Sequence, residues 1–166
     1  MKINLFLILS LFLLTFSGCI QTNKSNSTEN NIQQTSLTNE EIEALKITLE
    51  DEYKAEMLYK KVLEKFGENT RPFSNIINAE TKHSSKLIEL FNKYDLEIPE
   101  NTWYDKVPTY NNLKEACQAG VQAEIENIEL YDNLFEKIEK KDIIFTFTNL
   151  RDASKNNHLP AFKRCS

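Results

Sequence analysis

Four stretches of the chain carry apolar residues at intervals of three and four, the spacing of a helix face that packs into a core. They cover residues 42–66, 73–94, 113–138 and 144–165. No stretch alternates apolar and polar residues for long enough to indicate a β-strand. The pattern therefore predicts an all-α protein with four helices of about 20–28 residues each.

Local signals between these stretches indicate where the helices begin and end. Thr38 and Glu41 have the spacing of a capping box, and Gly67 is suited to end the first helix. Pro160 should kink or end the fourth helix, because it removes a helical hydrogen bond. Residues 95–110 show no periodicity and are numerous enough to travel the length of a bundle. We therefore expect a ferritin-like four-helix bundle with a long crossover between helices 2 and 3.

The beginning of the chain has the composition of an export signal. Residues 3–16 form an apolar run, which is followed by small residues and Cys19. This run is shorter than the roughly 20 residues that span a membrane. We expect residues 1–18 to be a signal peptide and Cys19 to be lipidated; a cleaved secretory signal and an uncleaved anchor are the alternatives. Residues 19–37 are polar and predict a flexible tether, and residues 38–166 are expected to form the bundle.

The net charge of the chain and its predicted membrane tether restrict its possible binding partners. The net charge is −5, and lysines are interspersed with glutamates, so we expect no nucleic acid partner. A lipid anchor would hold the domain on the membrane, outside the cytoplasm. The tether would also hinder assembly into a cage, while smaller oligomers remain open.

Five ionisable residues stand where apolar residues are expected on the inward helix faces. They are Glu52, Glu80, His83, Glu124 and His158, and they include both histidines of the chain. Burial without partners costs roughly 2–7 kcal/mol even for a neutral polar group, so these positions predict a bound metal. Carboxylate-bridged di-iron bundles place one glutamate on each of two helices and Glu-x-x-His on each of the other two. The chain order of the five residues agrees with that arrangement.

The fourth helix departs from the di-iron pattern. A second Glu-x-x-His would need a carboxylate three residues before His158, but Lys155 stands there, and Ser154 takes the inward position. Glu56, Asn127 or solvent could compensate. Three alternatives remain: an asymmetric two-metal site, a single metal bound by the ligands of helices 1 and 2, or no metal.

Two tyrosines have the same spacing from a predicted glutamate ligand. Tyr59 follows Glu52 by seven residues, and Tyr131 follows Glu124 by seven, so each tyrosine is expected to support a ligand carboxylate by a hydrogen bond.

Cys117 precedes Glu124 by seven residues, and Cys165 follows His158 by seven. If helices 3 and 4 are antiparallel, both cysteines lie about 10 Å from the metal layer on the same side. We expect a disulfide between them, which an extracytoplasmic location permits, unless Pro160 spoils the geometry. There is no Cys-x-x-Cys pair, so no rubredoxin-like iron centre is predicted.

Three runs of sequence resemble the ferritin-like family called domain of unknown function 2202, which is related to rubrerythrin-type proteins. The runs are DEYKAEMLY at 51–59, NAETKH at 78–83 and NHLPAF at 157–162, and the last is the most specific. The resemblance covers roughly residues 37–162. It implies a four-helix fold with a di-iron or related dinuclear centre, and it implies no agreed activity.

These observations favour a membrane-tethered metal-binding protein that handles iron or reactive oxygen by oxidising bound Fe(II) with oxygen or peroxide. Iron is preferred to zinc because carboxylates outnumber nitrogen ligands; a di-iron site is the first expectation, and manganese is an alternative that fits the same argument. The alternative is a non-enzymatic helical lipoprotein that serves as a binding or interaction module with a degenerate or mononuclear site. Lys155 favours this alternative, so the sequence leaves open whether the protein is an enzyme.

Overall fold

The computed structural model describes residues 36–166, and every regular element in that range is helical. The main helices are α1 (Asn39–Phe66), α2 (Phe73–Lys93), α3 (Leu113–Leu134), α4 (Lys141–Ala153) and α5 (Leu159–Lys163). A 3-10 turn, Phe135–Lys137, follows α3, and a π-helical segment, Ser154–His158, joins α4 to α5. The all-α prediction is therefore confirmed for this part of the chain.

The predicted signal peptide, Cys19 and the tether up to residue 35 lie outside the described residues. Among the helices of residues 36–166, none is both long and apolar enough to cross a membrane.

The start of α1 is fixed by the predicted capping box. The Thr38 hydroxyl accepts a hydrogen bond from the Glu41 amide at 3.1 Å, and the Glu41 carboxylate accepts one from the Thr38 amide at 3.0 Å. Glu41 also accepts hydrogen bonds from the amides of Glu139 and Lys140, just before α4. Burial raises the pKa of Glu41, but these amides outweigh it and lower the pKa overall. One buried carboxylate thus joins the beginnings of two helices.

Helices α1 and α2 are antiparallel. Glu52 on α1 lies beside His83 on α2, and Glu56, one turn later on α1, lies beside Thr81, which comes earlier on α2. The turn between the helices begins at Gly67, whose φ of 108° is readily adopted only by glycine. The Gly67 amide donates to the carbonyl of Leu63 and closes the last turn of α1.

The connection between α2 and α3 runs along α1. The Trp103 indole donates to Glu50, while Lys61 and Lys65 on α1 donate to the carbonyls of Val107 and Tyr110. Since the partners on α1 advance from residue 50 to 65, the connection follows about 22 Å of that helix. The aperiodic segment of the sequence is thus held against α1 by side-chain hydrogen bonds.

The fourth helical stretch differs in phase from the prediction. It is continuous over residues 141–163, and Pro160 lies in the first turn of α5 without ending the helix. Ile143 and Leu150 are buried, where the sequence pattern placed Ile144 and Arg151 inward. Arg151 instead forms ion pairs at the surface. The predicted inward face was therefore wrong by one residue at these two positions, whereas Phe147, also predicted to face inward, is buried.

The π-helical segment explains the change of phase. Four residues on this stretch are buried at intervals of four: Leu150, Ser154, His158 and Phe162. In a regular α-helix each step of four turns the face by about 40°, so three steps would carry Phe162 far from the core. The wider turn, in which the Leu159 amide donates to the Ser154 carbonyl, keeps all four on one side.

Two apolar clusters form the core and lie on either side of the layer of ionisable residues. The first occupies the end of the bundle that contains the start of α1 and α4, and it consists of Ala44, Leu45, Leu49, Tyr53, Leu87, Leu90, Phe91, Tyr131, Leu134, Ile138, Ile143, Phe147 and Leu150. The second occupies the other end and consists of Leu58, Tyr59, Val62, Phe73, Ile76, Val107, Ala116, Cys117 and Phe162. The polar layer is thereby enclosed by apolar side chains along the bundle axis.

Candidate metal centre

The structure brings the five predicted ligands into one buried layer. Their exposed fractions range from 1% to 8%. They form two overlapping groups, and within each group one ligand atom per residue lies within 4.8 Å of the others. The first group is Glu52, Glu80 and His83. The second is Glu80, Glu124 and His158. Each group therefore offers two carboxylates and one imidazole, a donor set that could bind a metal ion.

Glu80 belongs to both groups and is the centre of the layer. One of its oxygens, Oε2, lies 3.0 Å from Nδ1 of His83, and the other, Oε1, lies 3.1 Å from Nδ1 of His158. The two imidazole rings are stacked with their centroids 5.4 Å apart and their planes inclined by 22°. A carboxylate that presents one oxygen to each of two adjacent sites is placed to bridge two ions.

The two remaining carboxylates occupy equivalent outer positions. Glu52 Oε2 lies 3.2 Å from Nδ1 of His83, and Glu124 Oε2 lies 3.4 Å from Nδ1 of His158. Nδ1 of His158 is buried, yet neither of its carboxylate neighbours lies at an angle that makes a hydrogen bond. This nitrogen therefore lies between two carboxylate oxygens at 3.1 and 3.4 Å, an arrangement in which it could serve as a metal ligand.

Each outer carboxylate is held by a tyrosine from the opposite helix. The Tyr131 hydroxyl donates to Glu52 Oε1, and the Tyr59 hydroxyl donates to Glu124 Oε1, both at 2.7 Å. The sequence places each tyrosine seven residues after a glutamate, and because α1 and α3 are antiparallel, the hydrogen bonds cross between the helices. Each bond uses one carboxylate oxygen and leaves Oε2 directed to a histidine.

The phenols remain protonated donors. Burial raises the pKa of both Tyr59 and Tyr131 well above the ordinary value, and the neighbouring glutamates raise it further. A neutral hydroxyl can therefore orient its carboxylate throughout the physiological pH range, which is the support that ligand carboxylates commonly receive.

Both histidines are strongly basic in this layer. Burial lowers the pKa of His83, but Glu52 and Glu80 outweigh it and raise the pKa to about 10. The same balance, with Glu124 and Glu80, raises the pKa of His158 to about 9. At neutral pH each imidazole therefore holds a proton that a metal would have to displace.

The same contacts shift the pKa values of the carboxylates. Burial raises the pKa of Glu80, but the two histidines outweigh it and the pKa is lowered overall. For Glu52, burial prevails and the pKa is raised, although the hydrogen bond with His83 lowers it.

A hydrogen-bonded chain fills the position of the missing second Glu-x-x-His carboxylate. The Ser154 hydroxyl donates to Asn127 Oδ1 at 2.8 Å. The Asn127 amide donates in turn to Asp51 at 2.9 Å and to Glu52 Oε1 at 3.3 Å. Lys155 is exposed and takes no part. The layer thus contains three carboxylates and two imidazoles, and it is asymmetric in its supporting contacts.

Asp51 contacts the layer although it was not among the predicted site residues, and Glu56 lies outside the layer although it was. Burial raises the pKa of Asp51 to about 6, although the hydrogen bond from Asn127 lowers it. Its sequence signal was only its position beside Glu52. Glu56 was expected to support the metal ligands, but its carboxylate accepts a hydrogen bond from Thr81 near the surface and belongs to neither ligand group. Glu56 is half-buried, whereas Tyr59, predicted on the same face, is buried.

A small cavity reaches the layer between α1 and α3. Its volume of about 20 Å³ has room for about one water-sized molecule. Glu80 and Glu124 form part of its wall, together with Asp51, Tyr59 and Asn127. Solvent or a diatomic molecule could therefore approach the two carboxylates from this side.

A disulfide joins Cys117 on α3 to Cys165 at the end of the chain, closing a separation of 48 residues. Cys117 is fully buried in the second apolar cluster, beside Phe162. Because α5 follows His158 directly, this bond ties the helix that carries one candidate ligand to the helix that carries Glu124.

Comparisons with other proteins agree with the helical fold and leave the activity open. A crystal structure of a hypothetical protein, MJ0754, from Methanococcus jannaschii DSM 2661 superimposes with a TM-score of 0.70; it is 25% identical, over 77% of this chain and 80% of that one. No curated protein matches the chain. The family model described as uncharacterized protein domain DUF2202 matches residues 41–165. The chain therefore belongs to the DUF2202 family.

Proposed function

We propose that this protein is a ferritin-like metalloprotein that binds two iron ions and oxidises them with peroxide or oxygen while tethered to a membrane. The observation that carries the proposal is the sharing of Glu80 between two buried ligand groups. Even with both imidazoles protonated, three buried carboxylates exceed the two positive charges beside them, and such an excess is costly unless a further cation balances it. Two adjacent groups with a common carboxylate suit two ions better than one.

The geometry and chemistry of the layer fit divalent iron. Ligand atoms about 2.1 Å from one ion lie about 3 Å apart when they are neighbours in its coordination sphere. The nitrogen-to-oxygen distances within the two groups, 3.0–3.4 Å, are close to that value. Two carboxylates and one imidazole per ion favour iron or manganese over zinc, since oxygen ligands predominate.

The residues have distinct roles in this proposal. Glu52 and His83 would bind one ion, Glu124 and His158 the other, and Glu80 both. When bound, two Fe(II) ions supply one electron each to hydrogen peroxide, which takes up two protons and leaves as two water molecules. The tyrosines keep the outer carboxylates oriented, and the apolar clusters above and below restrict access by water. The small cavity between α1 and α3 is the route by which an oxidant would approach.

The ferritin-like arrangement is supported by the path of the chain. Because α2 and α3 are each antiparallel to α1, they run parallel to each other, and the segment along α1 makes the return that such a pair requires. The membrane tether rests on the sequence of residues 1–37 alone. A lipid on Cys19 would place the bundle outside the cytoplasm, where the disulfide is stable.

The oxidation is tested by loading the full chain with two equivalents of Fe(II) without oxygen and then adding hydrogen peroxide. We expect chelatable Fe(II) to disappear faster than in protein-free buffer, with two Fe(II) consumed per peroxide. Glu80→Ala should lose this acceleration, whereas Glu89→Ala, at an exposed position on the same helix, should keep it. Oxidation no faster than in buffer would contradict the proposal.

The alternative is a binding or interaction module without oxidase activity, and it is favoured by Lys155, which stands where a second Glu-x-x-His would have its carboxylate. Its site is degenerate or mononuclear, so it predicts at most one bound ion per chain and no acceleration of iron oxidation. The two functions are therefore separated by the rate, measured on protein of known metal content.

A further inference from the structure

A second cavity opens where the beginning of α2 packs against the π-helical segment and α5. Its volume is about 590 Å³, within the range of about 300–1,000 Å³ that is usual for pockets that bind small organic molecules. Of the five candidate metal ligands, only His158 lines it. The cleft is therefore a separate space that borders the metal layer.

The lining of this cleft is positively charged in an otherwise acidic protein. The chain has 25 acidic residues and a net charge of −5, yet none of the acidic residues within 36–166 lines the cleft. The chain has three arginines, and two of them, Arg71 and Arg164, line the cleft. The third, Arg151, is paired with Asp132 and Asp152, whereas Arg71 and Arg164 form no ion pair within residues 36–166. Two guanidinium groups are thus available to an external anion.

The rest of the lining divides into amides and apolar side chains. The side chains of Asn75 and Asn157 make no hydrogen bond to another described residue, so their amides can donate to a ligand. Ile76, Ala79 and Ala161 provide apolar surface beside them. A single inorganic ion would leave most of this volume and all of this apolar surface uncovered.

We propose that the cleft binds a small organic anion, in which a carboxylate or phosphate group is carried on an apolar body. Arginine suits both groups because its planar guanidinium donates two parallel hydrogen bonds to paired oxygens. The asparagine amides supply further donors, and the apolar residues cover the body of the molecule. The inference requires no metal, so it stands apart from the proposed iron chemistry, although the bound anion would lie beside His158.

The test uses calorimetric titration of the full chain, freed of metal by a chelator, with three ligands that share a phenyl ring. Benzoate carries a carboxylate, phenyl phosphate carries a phosphate, and benzamide is the neutral control. We expect one-to-one binding of at least one anion, at least tenfold tighter than benzamide, and the tighter anion identifies the preferred group. Loss of one charge-assisted contact should weaken it about tenfold or more, so Arg71→Gln and Arg164→Gln should each show this loss.

Arg151→Gln is the matched control, because it removes the same charge outside the cleft, and it should leave anion binding unchanged. The proposal is overturned if neither anion binds below about 10 mM, or if benzamide binds equally well. It is also overturned if both cleft variants, shown by circular dichroism to be folded, bind like the unaltered protein. Equal affinity for inorganic phosphate and phenyl phosphate would refute the apolar part of the site.

Discussion

Protons and metal ions should compete for the two histidines, so acidification is expected to weaken metal binding steeply. The pKa values of His83 and His158 are raised to about 10 and about 9 by the glutamates around them. Both values lie above pH 8, so each imidazole carries a proton throughout the range from pH 8 to pH 6. Only the neutral imidazole binds a metal. Each ion must therefore displace one proton.

The size of the effect follows from this stoichiometry. When one proton is displaced per ion, the association constant changes tenfold per pH unit, and between pH 8 and pH 6 it should fall about 100-fold for each ion. An isolated histidine with a pKa near 6.5 would give a much shallower change, since it is mostly neutral at pH 8 and only partly protonated at pH 6. The steepness thus reports the influence of the buried carboxylates.

Mn(II) is the suitable probe, because it suits the same ligands and avoids the oxidation of iron. Affinity would be measured by competition with a chelator of known pH dependence at pH 6, 7 and 8. Proton release at pH 7 would be measured in a lightly buffered solution, where we expect two protons for two ions. A pH-independent affinity, or binding without proton release, would refute the assignment of the histidines as ligands.

Three further predictions concern the supports of the layer and of the fold. Tyr131→Phe should weaken metal binding about 10–100-fold, because Glu52 loses the hydrogen bond that orients it. The same competition with a chelator measures this loss, and an unchanged affinity would contradict the role of Tyr131. Reduction of the disulfide should lower the free energy of unfolding by about 4 kcal/mol, the chain-entropy value for its 48-residue separation, and an unaltered urea midpoint would show that the bond contributes little. Gly120→Ala should cost about 1–3 kcal/mol in the same assay, because a Cβ would lie 2.6 Å from the Phe162 ring, and a neutral result would mean that the ring can move aside.

Helical periodicity was sufficient to identify the candidate ligands. Residues three or four apart on a helix face the same way regardless of what they contact, so Glu80 and His83 could be assigned together. Glu52 and Tyr59, seven residues apart, are likewise both buried on the inward face of α1. The partner of each tyrosine did not follow from spacing alone, because it depends on the antiparallel order of α1 and α3.

The fourth helix shows why other features escaped prediction. Residues spaced by four along this stretch could belong to a regular α-helix, in which they turn gradually away from the core, or to a helix with a π-helical segment, in which they stay on one side. Only packing against the other helices decides between the two. The contact of Ser154 with Asn127 lies across the bundle, and so does the hydrogen bond from Asn127 to the half-buried Asp51. Such hydrogen bonds join residues distant in sequence, and periodicity contains no information about them.

The number of metal ions bound per chain is the most direct test of the shared carboxylate. The full chain would be loaded anaerobically with excess Fe(II), desalted, and measured by elemental analysis together with its Glu80→Ala and Glu89→Ala variants. Since Glu80 supplies an oxygen to both groups, we expect two ions in the unaltered protein, two in Glu89→Ala and almost none in Glu80→Ala. Two ions retained by Glu80→Ala, or none bound by the unaltered protein, would show that this layer is not a dinuclear metal site.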